Sequence, residues 1–262
     1  MAYYYEIDNK RVHSNYFPHN FRALIVGQSG AGKTALLMRM LLEDNLLNYD
    51  KLYIFAKSLY QPEYRVLESG LKNNLPKSDI KLLMNCDKLF KKHNSSLDEI
   101  DDICEQKSNY NDENDIPRSD IDYEFSSNPN DIPDPQELNK ITRNLIVFDD
   151  VMTDKKQTTA ENYYTRSRSA NCDCIYLSQN YTHLPLHTIR SNSNFMIFFK
   201  SSPLVVEQLY RNFSSIDMNI NDWKKFCNDA WKNKFGFIVT DFSRNYDSGN
   251  KYRKQLELNV CK

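Results

Sequence analysis

Eight residues, Gly27-Gln28-Ser29-Gly30-Ala31-Gly32-Lys33-Thr34, constrain this 262-residue chain more than any other feature. They fit the pattern GxxxxGK[ST], and their context is the one that gives the pattern meaning. An apolar run, FRALIVG (21 to 27), leads in and reads as a buried strand. Behind it, Lys33 opens a segment in which Leu36, Leu37, Met40 and Leu41 fall on one helical face. Glycines let the backbone wrap so that successive N–H groups face an anion, and the dipole of the following helix adds positive potential. In such a cradle Lys33 reaches the β and γ oxygens of a triphosphate, and Thr34 offers its hydroxyl to Mg2+. The nucleotide-binding candidates are therefore residues 27 to 34 in full: Gly27, Gln28, Ser29, Gly30, Ala31, Gly32, Lys33 and Thr34.

A second motif completes a site of this kind. Leu145 to Phe148 form another apolar run, and it ends in Asp149-Asp150, about 115 residues beyond the glycine-rich loop. A strand parallel to the first brings its C-terminal tip to the same edge of the sheet, where open α/β sheets bind ligands. Consecutive tip residues point in different directions. Asp149 is thus the expected metal ligand, and Asp150 the expected base for a water beyond the γ-phosphate. Two acids favour hydrolysis over transfer, because water must be oriented and relieved of a proton. A third polar group is expected at the end of CDCIYLSQN (172 to 180). Gln179 is the candidate there, ahead of Ser178 and Asn180.

The remaining apolar runs alternate with amphipathic ones, the pattern of a parallel sheet covered on both faces. KLYIFAK (51 to 57), DIKLLMN (79 to 85), FMIFFK (195 to 200) and FGFIVTDF (235 to 242) read as strands. The segments after Pro62, PLVVEQLYRNF and INDWKKFCNDAW read as helices. No apolar run approaches the roughly 18 residues of a membrane span. The N-terminal segment lacks the apolar stretch of a secretory signal, so the six cysteines are expected as thiols in a reducing compartment. Cys172 and Cys174 then read as small buried hydrophobes, and His183 and His187 as ordinary surface or core histidines.

The net charge of −1 conceals a segregation. Residues 98 to 134 carry thirteen acidic side chains against Lys107 and Arg118, a net of −11 that leaves +10 on the rest. Rich in Asn, Ser and Pro as well, this stretch reads as a disordered or loosely ordered insertion. A sharper alternative is an acidic flap that competes with a polyanion for the basic remainder, in which case deleting residues 107 to 132 raises nucleic-acid affinity at low salt.

Taken together, IVGQSGAGKT, LIVFDDVM, NYYTRSRSANCDCIYLSQNYTHLP and IRSNSNFMIFFK resemble the viral genome-packaging ATPases of the FtsK–HerA superfamily. The likeness is to the poxvirus-type branch found in large DNA viruses, virophages and Polinton-like elements. The resemblance implies an α/β P-loop NTPase of the ASCE (RecA-like) type, a three-layer sandwich with a mainly parallel central sheet. In it the Gln179 strand lies between the P-loop strand and the Asp149 strand. The implied organisation is an N-terminal extension (1 to 20), an ATPase domain (21 to 242) holding the acidic insertion, and a polar C-terminal tail (243 to 262).

The implied activity is hydrolysis of ATP with Mg2+, stimulated by DNA, in a homo-oligomeric ring that pumps double-stranded DNA into a capsid. The partners would be duplex DNA read without regard to sequence and a capsid or portal protein, with no membrane. The setting would be intracellular, at sites of virus assembly in host cytoplasm or nucleus, or in the virion. The resemblance also assigns roles beyond the two main motifs. Arg166 and Arg168 match an Arg-x-Arg pair suited to reaching a neighbour's nucleotide, although Ser167 replaces the usual glycine, and Arg190 is a second candidate. Asp150 stands where many bacterial relatives carry Glu. For a moving motor, DNA contact would be with the backbone, and Lys155, Lys156, Tyr163 and Tyr164 are the candidates to line a pore.

Two other classes share the phosphate-binding loop. A nucleotide or nucleoside kinase would add an Arg-rich lid and an acceptor pocket, and no clear lid is legible. A nucleotide-gated assembly protein without turnover would not need both Asp149 and Asp150.

Overall fold

The computed structural model describes residues 13 to 85, 97 to 113, 119 to 151 and 157 to 257. Lys155 and Lys156 lie outside them. Five apolar runs become five strands buried along most or all of their length: β1 (Arg22–Val26), β2 (Lys51–Ala56), β4 (Asn144–Asp149), β5 (Cys172–Ser178) and β6 (Phe195–Phe199). With β3 (Asp122–Ser126), β7 (Phe237–Asp241) and β8 (Tyr252–Lys254) they form one sheet in the order β3-β2-β4-β5-β1-β6-β7-β8. From β3 to β6 every pairing is parallel, and β7 and β8 add antiparallel pairings at the far edge.

The sheet is covered on both faces, and the period-2 alternation of the strands shows how. Ala23, Ile25, Leu52, Ile54, Leu145, Val147, Ile175 and Leu177 enter one core. Their neighbours Leu24, Val26, Tyr53, Phe55, Ile146, Phe148, Cys174 and Tyr176 enter the other. Helix α1 (Lys33–Leu42) covers the first face with Leu36, Leu37, Met40 and Leu41, joined by α2 (Pro62–Lys72), α3 (Lys77–Met84) and α4 (Leu97–Glu113). Helices α5 (Thr158–Arg166), α6 (Pro203–Leu209) and α7 (Ile220–Ala230) cover the second. This is a three-layer α/β sandwich of P-loop NTPase type.

Four expectations are corrected. DIKLLMN is not a strand: α3 spans it, because Ile80, Leu83 and Met84 share one helical face against the core while Leu82 points to solvent. The acidic stretch is not a loose loop in its described parts. Ile100 and Cys104, one helical turn apart, bury the apolar side of α4, and Ser69 Oγ of α2 donates to Asp101 at 2.5 Å. Further along, β3 pairs with β2 and packs Tyr123 and Phe125 on the core, so deleting residues 107 to 132 would remove an edge strand.

The polar C-terminal tail also joins the sheet, as β8. Arg253, fully buried, donates to the Leu256 and Tyr16 carbonyls and lies 3.6 Å from buried Asp241. Burial pulls its guanidinium down to about 10 despite that partner. Finally, Tyr163 and Tyr164 do not face a pore. Both are buried under the sheet, with Tyr163 Oη donating to the Pro133 carbonyl at 2.9 Å and Tyr164 Oη to that of Ala23.

Residues 13 to 20, expected as an extension, include a buried anchor. His13 Nε2 donates to Asp173 Oδ2 at 2.8 Å while its Nδ1 accepts from the Asn48 N–H at 3.0 Å, and Phe17 is buried.

A candidate nucleotide cleft at the strand tips

Because β1, β5 and β4 are adjacent and parallel, their C-terminal ends emerge on one edge of the sheet. The glycine-rich loop leaves β1, Asp149 ends β4 with Asp150 directly after it, and Gln179 follows β5. The β5 strand lies between the other two, as the resemblance implies. A cleft of about 290 Å3 opens there, lined among others by Gly30, Gly32, Lys33, Thr34, Asp149, Asp150 and Gln179. Lys33 and Asp149 thus lie on one rim.

The loop backbone has the expected form. Gly30 (φ 73°) and Gly32 (φ 103°) are left-handed, a region that costs glycine little. Gly32 caps α1 with no side-chain hydrogen bond to the first-turn N–H groups, which have no partner inside the helix and so stay available to an anion. Gly27 is fixed by packing: a Cβ there would lie 2.8 Å from Phe199 Cβ. Lys33 folds its ammonium back onto its own loop, donating to the Gly27 carbonyl at 2.7 Å and that of Gln28 at 3.1 Å. Burial holds this ammonium below the ordinary lysine range, while Asp149 and Asp150 pull it back up.

Across the cleft, Asp149 is buried, and desolvation raises its carboxyl above the usual range. The Tyr64 hydroxyl and the Lys33 charge oppose that rise, and the Asp150 charge adds to it. Tyr64 Oη donates to Asp149 Oδ2 at 2.6 Å. Asp150 adopts φ 53°, a left-handed conformation that among residues other than Gly is found mainly for Asn and Asp. That turn carries its carboxylate toward Gln179, whose Nε2 donates to Asp150 Oδ1 at 3.3 Å. Thr34 and Asp149 are both oxygen donors and line one cleft, a set that fits Mg2+. Among the described residues no three His, Cys, Asp or Glu side chains cluster as a metal site.

The arginines lie elsewhere. Arg166 ends α5, and Arg168 sits in the short 3-10 turn that enters β5 at its N-terminal end, opposite to the cleft. Both are exposed; Arg166 lies 3.9 Å from Asp134. Arg190 stacks its guanidinium 4.9 Å from the centre of the Tyr181 ring. His183 and His187 are exposed, and Cys172 and Cys174 are buried free thiols. Ser58, Gln61 and Glu63, which line the cleft, and Tyr64, which touches Asp149, were not legible as site residues. In the sequence, Gln61, Glu63 and Tyr64 mark the start of an amphipathic helix and Ser58 the turn before it, and the approach of Tyr64 to Asp149 depends on how that helix docks.

Fold and cleft are those of a P-loop NTPase in which a polar residue and twin acids come from the two strands beyond the P-loop strand. No family model and no curated protein matches the sequence. Among solved structures, the chain is similar to the genome packaging NTPase B204 of Sulfolobus turreted icosahedral virus 2 in complex with sulfate. Identity is 11%, the TM-score 0.48, and coverage 90% of this chain and 95% of that one. The same NTPase with ATP-gammaS gives 11%, 0.45, 90% and 96%. VirB4 of Thermoanaerobacter pseudethanolicus gives 11%, 0.46, 92% and 89%.

Proposed function

We propose that this protein is an ATP-hydrolysing motor that moves double-stranded DNA without regard to sequence and packages it into a capsid as a homo-oligomeric ring. The observation that carries the reading is the convergence of Lys33, Thr34, Asp149, Asp150 and Gln179 on one cleft at neighbouring parallel strand tips. The resemblance of its four sequence motifs to packaging ATPases supplies the substrate and the cargo.

The cleft residues divide the work. Lys33 exchanges its two loop carbonyls for β and γ oxygens, bringing an ammonium that burial has already partly desolvated. Thr34 and Asp149 would hold Mg2+, which neutralises charge developing between the β and γ phosphates. Asp150, oriented by Gln179, takes a proton from water as that oxygen bonds to the γ-phosphorus, and the β–γ bridging bond breaks toward ADP. Arg166 and Arg168 lie outside their own cleft; by the resemblance, one of them would act on a neighbour's nucleotide.

ATP turnover measured against protein concentration, with and without duplex DNA, tests this. A ring motor gives turnover per subunit that rises steeply with both. Turnover independent of concentration and DNA, or transfer of phosphate to a small acceptor in place of water, refutes it.

A further inference from the structure

Among the described residues, the cleft is lined by groups suited to phosphates and metal, with no aromatic ring. The fold provides a ring on the opposite side of the phosphate loop from the carboxylates. Phe235 leads into β7, two strands from β1 on the side away from β5 and β4. It is 53% exposed. A Cβ on Gly32 would lie 3.3 Å from Phe235 Cδ1 and 3.6 Å from Phe199 Cε1, so the capping glycine of the phosphate loop rests directly against this ring.

The exposed ring is rigidly presented. Before it, Trp231 is buried and its indole N–H donates to the Phe198 carbonyl at 3.1 Å. After it, Gly236 donates to the Asn233 carbonyl at 3.0 Å and sits so close to the Ala230 carbonyl that a Cβ would come within 2.0 Å of its oxygen. Phe237 is then buried as the first residue of β7. Both ends of the turn are pinned, and Phe235 is left in solvent. The exposed Lys234 holds its ammonium 5.1 Å from the ring centre, a surface cation that a flat ligand can displace or share.

We propose that Phe235 is the stacking platform for the nucleobase of the bound nucleotide, with Gly32 as the contact that joins it to the phosphate cradle. The inference rests on the nucleotide-binding reading above. Stacking on a phenyl face does not depend on base identity, so the platform supports ATP and GTP alike and gives the base end affinity rather than selectivity.

Equilibrium binding of ATP and of inorganic tripolyphosphate, which has no base, tests the assignment in wild type, Phe235→Ala and Phe235→Trp. Loss of the stack weakens ATP binding about tenfold in Phe235→Ala, at the low end of what removal of a base–aromatic stack costs. Tripolyphosphate binding stays unchanged, and Phe235→Trp keeps ATP affinity with its indole fluorescence quenched by the base. Equal weakening of both ligands in Phe235→Ala, unchanged ATP affinity, or loss of DNA binding alone overturns the platform. Failure of wild type to bind either ligand overturns the phosphate cradle itself, and the platform with it.

Discussion

The Tyr64 hydroxyl donates to Asp149 Oδ2 at 2.6 Å, joining the third residue of α2 to the acid at the tip of β4. Both groups are buried, and the proximity of Asp149 drives the tyrosine hydroxyl still further above its ordinary range than burial alone does. The bond occupies one carboxylate oxygen of a residue that lines the cleft, and so restricts how that carboxylate can turn. Tyr64 is in this sense a positioning residue for Asp149, the proposed metal ligand.

Tyr64→Phe removes that donor and little volume. A hydrogen bond to a charged group contributes about 1.5 to 3 kcal/mol, so the half-saturating Mg2+ concentration for nucleotide binding should rise roughly tenfold or more. Nucleotide binding in EDTA should not change. An unaltered Mg2+ dependence would leave Tyr64 with a packing role only.

Asp150→Asn keeps the shape of the carboxylate and its contact with Gln179 while abolishing its ability to take a proton. Turnover should fall by about 10² to 10⁴, the range for a general base, with ATP affinity retained. Lys33→Ala should lose affinity as well, since its ammonium is the cation that the loop holds beside its own carbonyls. Calorimetric binding and steady-state turnover on the same preparations separate the two effects, and an active Asp150→Asn enzyme would remove Asp150 as base.

Arg166→Ala and Arg168→Ala are read by mixing. Each is expected to bind ATP normally and, for the arginine that serves as the trans finger, to lose about 10³ or more in turnover. Mixing that variant with Lys33→Ala should restore part of the activity, because an intact cleft on one subunit then meets an intact arginine on the next. No restoration at any ratio would place the arginines in another role.

His13 makes stability depend on pH in a defined direction. Burial holds its ring below the ordinary value of 6.5, despite Asp173 as hydrogen-bond partner. The unfolded chain therefore binds a proton more readily than the folded one, so stability is greatest above pH 6.5 and falls as pH drops through 6.5 toward the lower folded value. Protonation would also set a hydrogen on Nδ1 against the Asn48 N–H that it now accepts. Urea midpoints at pH 7.5 and 5.5 should differ more for wild type than for His13→Gln, and equal differences would exclude this group.

The sequence by itself determined the pieces that chemistry forces to be local. A glycine wrap after an apolar strand can be read without a partner, because the positive φ values of Gly30 and Gly32 and the cap of α1 belong to consecutive residues. The same holds for the five central strands, whose burial on both faces makes them continuously apolar, and for the position of Asp149 and Gln179 at strand ends. What is carried by a helix face was less legible: Ile80, Leu83 and Met84 fit α3 only once the three-residue spacing outweighs the short apolar run. In α4, two buried residues a turn apart were hidden among acids.

Only the tertiary structure decided what depends on residues distant in the chain. It set β5 between β1 and β4, docked α2 so that Tyr64 meets Asp149, and brought Phe235 against Gly32 across two hundred residues. It also buried Arg253 opposite Asp241, a placement that a polar dozen residues gives no sign of. The physical reason is that such contacts are stabilised by shared desolvation and by strand order, and neither quantity is a property of any one segment.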